Sequence, residues 1–176
     1  MGGQPDTDQG GATSRLRATA HPLRLRMLSL LTGAELSATE IARELEVTHA
    51  NASYHLRFLE KAGLIEVASE ERIRGGVAKR YRHPWRDSSV DQAEDVTARA
   101  AYVRAMADEL VRRHGDQRRK GIFVDAELWV EPSVWQEAQE LVQRASELVH
   151  DAARPPRTEG TLHVNLTAAA FRMDER

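Results

Sequence analysis

Three features of the sequence predict an α+β fold. Residues 21–63 hold three short helical patterns separated by very short breaks. Residues 64–84 hold two strand-like runs around a Gly-Gly connector. Beyond them a long seven-residue repeat leads into two alternating segments separated by one more helical pattern. The predicted order is helix, helix, helix, hairpin, long helix, then strand, helix, strand.

The chain has 176 residues, enough to bury a core without disulfides or a metal. It has no cysteine, which excludes disulfides, thiolate metal sites and a cysteine nucleophile. The net charge is only −2, but it is unevenly spread. Residues 1–86 carry 13 Lys and Arg against 10 Asp and Glu, whereas residues 87–176 carry 12 against 17, so the first half is the basic one. No apolar run approaches the ~18 residues of a membrane span, and MGGQPDTDQGGA has neither the basic nor the apolar region of a signal peptide. A cytoplasmic chain with no membrane contact is expected, and residues 1–13 are expected to form a disordered tail.

The elements follow in order. HPLRLRMLSLLTG places Leu23, Met27, Leu30 and Leu31 on one face, between Pro22 at the start and Gly33 at the stop. In SATEIARELE, Ser37 and Glu40 make an SxxE capping box ahead of Ile41, Ala42 and Leu45. Thr48 can cap a third helix over 49–61, with Ala52, Leu56 and Leu59 inward and Gly63 behind it. LIEVAS and AKRYRH then flank the Gly-Gly connector as a hairpin. Three helices with a tight turn between the second and third, closed by a hairpin, make a winged helix-turn-helix over residues 14–86.

Residues 87–176 are expected to serve dimerisation and effector response. A long helix over 91–114 carries Val96, Val103 and Leu110 every seven residues, with Ala100 and Ala107 between them, a narrow stripe suited to close helix pairing. GIFVDAELWVEP (121–132) and TLHVNLTAAAF (161–171) alternate as strands. SVWQEAQELVQRASELVHDAA (133–153) is a helix behind an SxxQ cap. The aromatic residues Phe123, Trp129, Trp135 and Phe171 belong to core or dimer contacts, with an apolar pocket for a small-molecule effector as the alternative.

The chemistry lies in the third helix. A helix in the major groove must offer base edges groups that both donate and accept. His49, Ala50, Asn51, Ser53, Tyr54 and Arg57 occupy its outward positions. Asn pairs with adenine, Ala meets a thymine methyl, and Ser, Tyr and Arg hold phosphates. Ser37 and Thr48 stand at helix N-termini, where free N–H groups suit phosphate oxygens. The wing adds Arg72, Arg74, Lys79 and Arg80. His49 and His55, six apart, lie on different sides of the helix and cannot share a metal. No metal and no cofactor is expected. No motif of a hydrolase, nucleotidase or metalloprotease is present, so no enzyme is expected. The rival is a winged helix used as a protein-interaction module.

ATAHPLRLRMLSLL, LSATEIARELEVTHANASYHLRFLEKAGLIE and the wing ending RYRHP resemble the winged helix-turn-helix domain of ArsR-type bacterial transcriptional regulators. The likeness covers about residues 14–84. It implies a homodimer that binds double-stranded DNA at an inverted-repeat operator and represses. It also places the residues of the third helix and wing on DNA. The family's cysteine metal motif is absent, so metal sensing is not expected.

Overall fold

In a computed structural model, residues 6–73, 76–87, 95–115 and 120–173 are described. Over these residues the chain forms α1 (Asp6–Thr19), α2 (Pro22–Gly33), β1 (Leu36–Ser37), α3 (Ala38–Leu45), α4 (His49–Lys61), β2 (Glu66–Ile73) and β3 (Gly76–Arg82). A 3-10 turn (Trp85–Asp87), α5 (Val96–His114) and α6 (Pro132–Asp151) follow. The strands form one antiparallel sheet in the order β1-β3-β2.

Helices α2, α3 and α4 start where their side chains satisfy the first free N–H groups. The His21 ring accepts from the Leu23 N–H, with Pro22 in the first turn. Ser37 and Glu40 close a reciprocal capping box on α3. Thr48 accepts from the Asn51 N–H at 3.2 Å. Glu46 ends α3 in a left-handed conformation (φ 56°), and this one residue turns the chain sharply into α4. Gly63, at φ 68°, turns it out again.

The inward faces of these helices make the main core. Met27, Leu31, Ile41, Ala52, Leu56 and Leu59 are all but inaccessible, and Leu64, Ile65 and Tyr81 close it from the sheet side. His83 ties the end of β3 to this core: its N–H donates to the Leu31 carbonyl, and its ring lies 2.5 Å from the Leu64 carbonyl. The β2–β3 ladder runs from Glu66 opposite Arg82 to Ile73 opposite Gly76, with an irregularity between Val67 and Ser69.

The structure corrects several expectations. Within residues 1–13, positions 6–13 are helical, because Ala12 and Leu16, four apart, bury against Ala98 and Tyr102 of α5. Residues 1–5 lie outside the described residues. The sequence pattern does not announce β1; its two residues, Leu36 and Ser37, pair with Tyr81 and Arg80. The long helix begins at Val96 behind an Asp95 cap, and positions 91–94 lie outside the described residues. The N-cap of α6 is Glu131, with Pro132 in the first turn, rather than Ser133. Segments 121–131 and 161–171 form no strand, so the strand-helix-strand unit is a helix between two unpaired stretches. Alternation settles which side chains share a face, but a strand exists only once a neighbour takes its hydrogen bonds.

Helix α5 turns Ala98, Ala105 and Glu109 inward. Its N-terminus is held to α1 by Arg17 and Asp95, 2.6 Å apart. The positions of the heptad stripe, Val96, Ala100, Val103, Ala107 and Leu110, all face away from the chain and are exposed.

Candidate nucleic-acid interface

Helix α4 is divided lengthwise. Ala52, His55, Leu56 and Leu59 are buried, while His49, Ala50, Asn51, Tyr54 and Arg57 are exposed and Ser53 is half-buried. The outward side of its first two turns is therefore polar and uncharged apart from Arg57, whose Nε donates back to the Ser53 carbonyl at 3.3 Å. Thr48 is exposed at the tip of the same helix.

The wing contributes unequally. Arg72 is exposed opposite Val77. Lys79 lies opposite Glu70 and 3.6 Å from Glu60 of α4, so it bridges wing and helix. Arg74 lies outside the described residues. Arg80 and Ser37, both assigned to DNA from the sequence, are occupied in holding the fold. Arg80 donates to the Glu35 carbonyl at 2.6 Å and pairs with Glu40 at 3.0 Å, its side chain only 28% exposed. The Ser37 hydroxyl donates to the same Glu40 carboxylate and accepts its N–H. Burial works to raise the Glu40 carboxyl, but the Ser37 donors and Arg80 together hold it below the ordinary carboxylate range. This cluster fixes the wing root against the start of α3.

A second cluster lies behind α4 and was only partly legible. The His21 and His55 rings stand 4.7 Å apart, and Tyr54 meets His55 edge-on at 5.1 Å. Arg24 donates to the Ala18 carbonyl and lies 4.6 Å from the centre of the Phe58 ring. His55, expected as a partly buried, hydrogen-bonded helix histidine, is buried, but its Nδ1 has no hydrogen-bond partner among the described residues. Burial, then the neighbouring His21 and Arg24, lowers its pKa. Burial and Arg24 do the same to His21. The signal was in the sequence: His21 and Arg24 both belong to the HPLR opening.

Phe123, Trp129 and Phe171 join no core within one chain, and the alternative, an aromatic pocket, does not form there either. Trp129 is 92% exposed, Phe123 and Phe171 are also exposed, and Phe123 meets the edge of His114. An open cleft of about 600 Å³ lies elsewhere, at the foot of β3, lined by Leu31, Glu35, His83, Trp85 and Pro155 among others. Among the described residues no three His, Cys, Asp or Glu are grouped to hold a metal, and no helix is long and apolar enough to cross a membrane.

Two capped helices joined by a tight turn, the second presenting a polar face beside an antiparallel hairpin, define a winged helix-turn-helix domain. It is of the class whose ArsR-type members the sequence resembles. Residues 19–68 match the family described as a helix-turn-helix domain. Among solved structures, HlyU from Vibrio cholerae is similar at 26% identity over 64% of this chain and all of its own, with a TM-score of 0.37. The homodimeric winged helix-turn-helix DNA-binding domain of Mb0332 from Mycobacterium bovis, described as a possible ArsR-family transcriptional regulator, is similar at 27% identity. That match covers 67% of this chain and all of the fragment, with a TM-score of 0.40. No curated protein matches the chain.

Proposed function

We propose that the protein is a sequence-specific repressor of the ArsR type, working as a homodimer on an inverted-repeat operator and without a cysteine metal site. The observation that carries this reading is the split of α4, with its apolar side locked into the core and an uncharged hydrogen-bonding side left open. A purely electrostatic contact needs only cations; donors and acceptors at the tip of an exposed helix suit base edges. Asn51 and Ala50 face the bases, with His49, Ser53, Tyr54 and Arg57 around them. Arg72 and Lys79 follow the phosphates, and Thr48 sits at the helix end that meets the backbone. Arg80 supports the wing from behind.

A monomer reads one half-site weakly. Two recognition helices about one DNA turn apart, ~34 Å, convert weak contacts into a specific one. The exposed stripe of α5 is the surface available for holding the second copy.

Selection of bound duplexes from a random DNA pool, at low and at moderate salt, tests the reading. An enriched inverted repeat is the expected result. Binding that is weak, salt-sensitive and without sequence preference contradicts a specific regulator. Binding unaffected by salt favours a protein-interaction module.

A further inference from the structure

From Gly121 onward the chain makes almost no core of its own. Helix α6 has no buried residue in 20, although Val134, Leu141 and Leu148 repeat every seven along one face. The flanking segments 121–131 and 161–171 alternate as strands should, yet none of their backbone enters a ladder. Sixteen large apolar side chains between Ile122 and Met173 are exposed. At some tens of Å² each, they amount to about the ~800 Å² that one partner contributes to a standard interface.

We infer that this region is completed by a second copy of the chain, whose α6 and flanking extended segments pack on the exposed stripe of α5, reciprocally about a two-fold axis. The inference rests on the homodimer proposed above and specifies which elements meet. Charge selects the pairing. Helix α5 carries Arg99, Arg104, Arg112 and Arg113 against Asp108 and Glu109, whereas α6 carries Glu137, Glu140, Glu147 and Asp151 against Arg144. Opposite helices therefore attract across the axis, while α5 against α5 brings like charges together. The surfaces also match in kind. An unpaired alternating segment needs another strand, an amphipathic helix needs an apolar stripe, and one copy of this chain offers both to its partner.

The absence of cysteine makes the test direct. Full-length chains carrying Val103→Cys and Leu141→Cys, distinguished by tags of different size, are mixed and oxidised. A disulfide between the two kinds of chain is expected, in preference to Val103→Cys linked to itself. In parallel, sedimentation of the full chain should show a dimer at micromolar concentration, weakened about ten-fold or more by Leu141→Asp. Circular dichroism and binding of a single half-site should show that this variant keeps its winged domain. A monomeric wild-type chain, or linkage only through Val103→Cys with itself, overturns the inference. An unidentified protein or a lipid covering this face would leave the purified chain monomeric, which overturns it equally. Failure of the wild-type chain to bind DNA while the mixed disulfide forms would instead reject the functional reading and leave the interface standing.

Discussion

Asn51 stands exposed in the first turn of α4, with its backbone N–H already taken by Thr48, so its amide side chain is free to meet a base edge. Asn51→Ala is expected to cost about 1–3 kcal/mol on the selected operator and to relax preference at one base pair. Arg72→Ala should weaken all sequences alike and reduce the slope of affinity against salt by about one. Binding assays on operator and scrambled duplexes separate them; equal loss on both duplexes would remove Asn51 from the base-reading residues. The histidines behind α4 set a different dependence. His21, His55 and His83 all have folded pKa values below the ordinary 6.5, burial being the largest cause in each. The unfolded chain therefore binds more protons near pH 6, so their stabilisation is complete above about 6.5 and lost as pH falls towards the folded values. His21 adds a structural reason, since its Nδ1 accepts from Leu23 and protonation turns that acceptor into a donor. Melting temperature should fall between pH 7.5 and 5.5. His21→Asn, which keeps a capping acceptor and cannot titrate, should flatten that fall; an unchanged slope in the variant would place the effect elsewhere.

The elements whose ends are written in side-chain chemistry were the readable ones. For α2, Pro22 and Gly33 mark the ends; for α3, Ser37 and Glu40; for α4, Thr48 and Gly63. The structure keeps α2 and α4 within the bounds expected of them. Ser37 shows where such reading allows two roles. A serine at a helix N-terminus suits both a cap and a phosphate, and only the Glu40 carboxylate and Arg80 around it decide for the cap. Ser37→Ala should therefore lower stability by about 0.5–2 kcal/mol in urea denaturation. Half-site affinity, corrected for the folded fraction, should stay within two-fold, roughly; a larger loss would restore Ser37 as a phosphate contact. Helix α1 is silent in the sequence because its pattern is three apolar residues, Ala12, Leu16 and Ala18, in a run broken by Gly10 and Gly11, and much of its reason to fold is α5, some eighty residues away. The segments 121–131 and 161–171 show the opposite error. Their period is clear, but the sequence of one chain does not say which strand lies alongside.

At the scale of the whole molecule, the end of α6 is fastened to the winged helix-turn-helix domain. Arg86 pairs with Asp151, Trp85 stacks on His150 at 4.8 Å, and Arg157 reaches Glu44 of α3 at 2.6 Å. Helix α3 in turn shares its core with α4, so a displacement of the C-terminal region has a physical route to α4, the proposed recognition helix. Gly33 is the closest point of this junction. A Cβ added there would lie 2.7 Å from the Arg154 carbonyl oxygen and 3.3 Å from the Ala153 methyl. In a free helix end Ala would be favoured over Gly by up to ~1 kcal/mol, so Gly33→Ala sets helix propensity against docking. Because α2 is locked in the core and residues 154–160 are exposed, the docked segment is the side that gives way. Hydrogen exchange should show Ala152 and Ala153, whose N–H groups donate to Leu148 and His150, losing protection while α2 keeps it. Loss of protection along α2 instead would mean that the winged helix-turn-helix domain yields first, and that the C-terminal region is the stiffer partner at this junction.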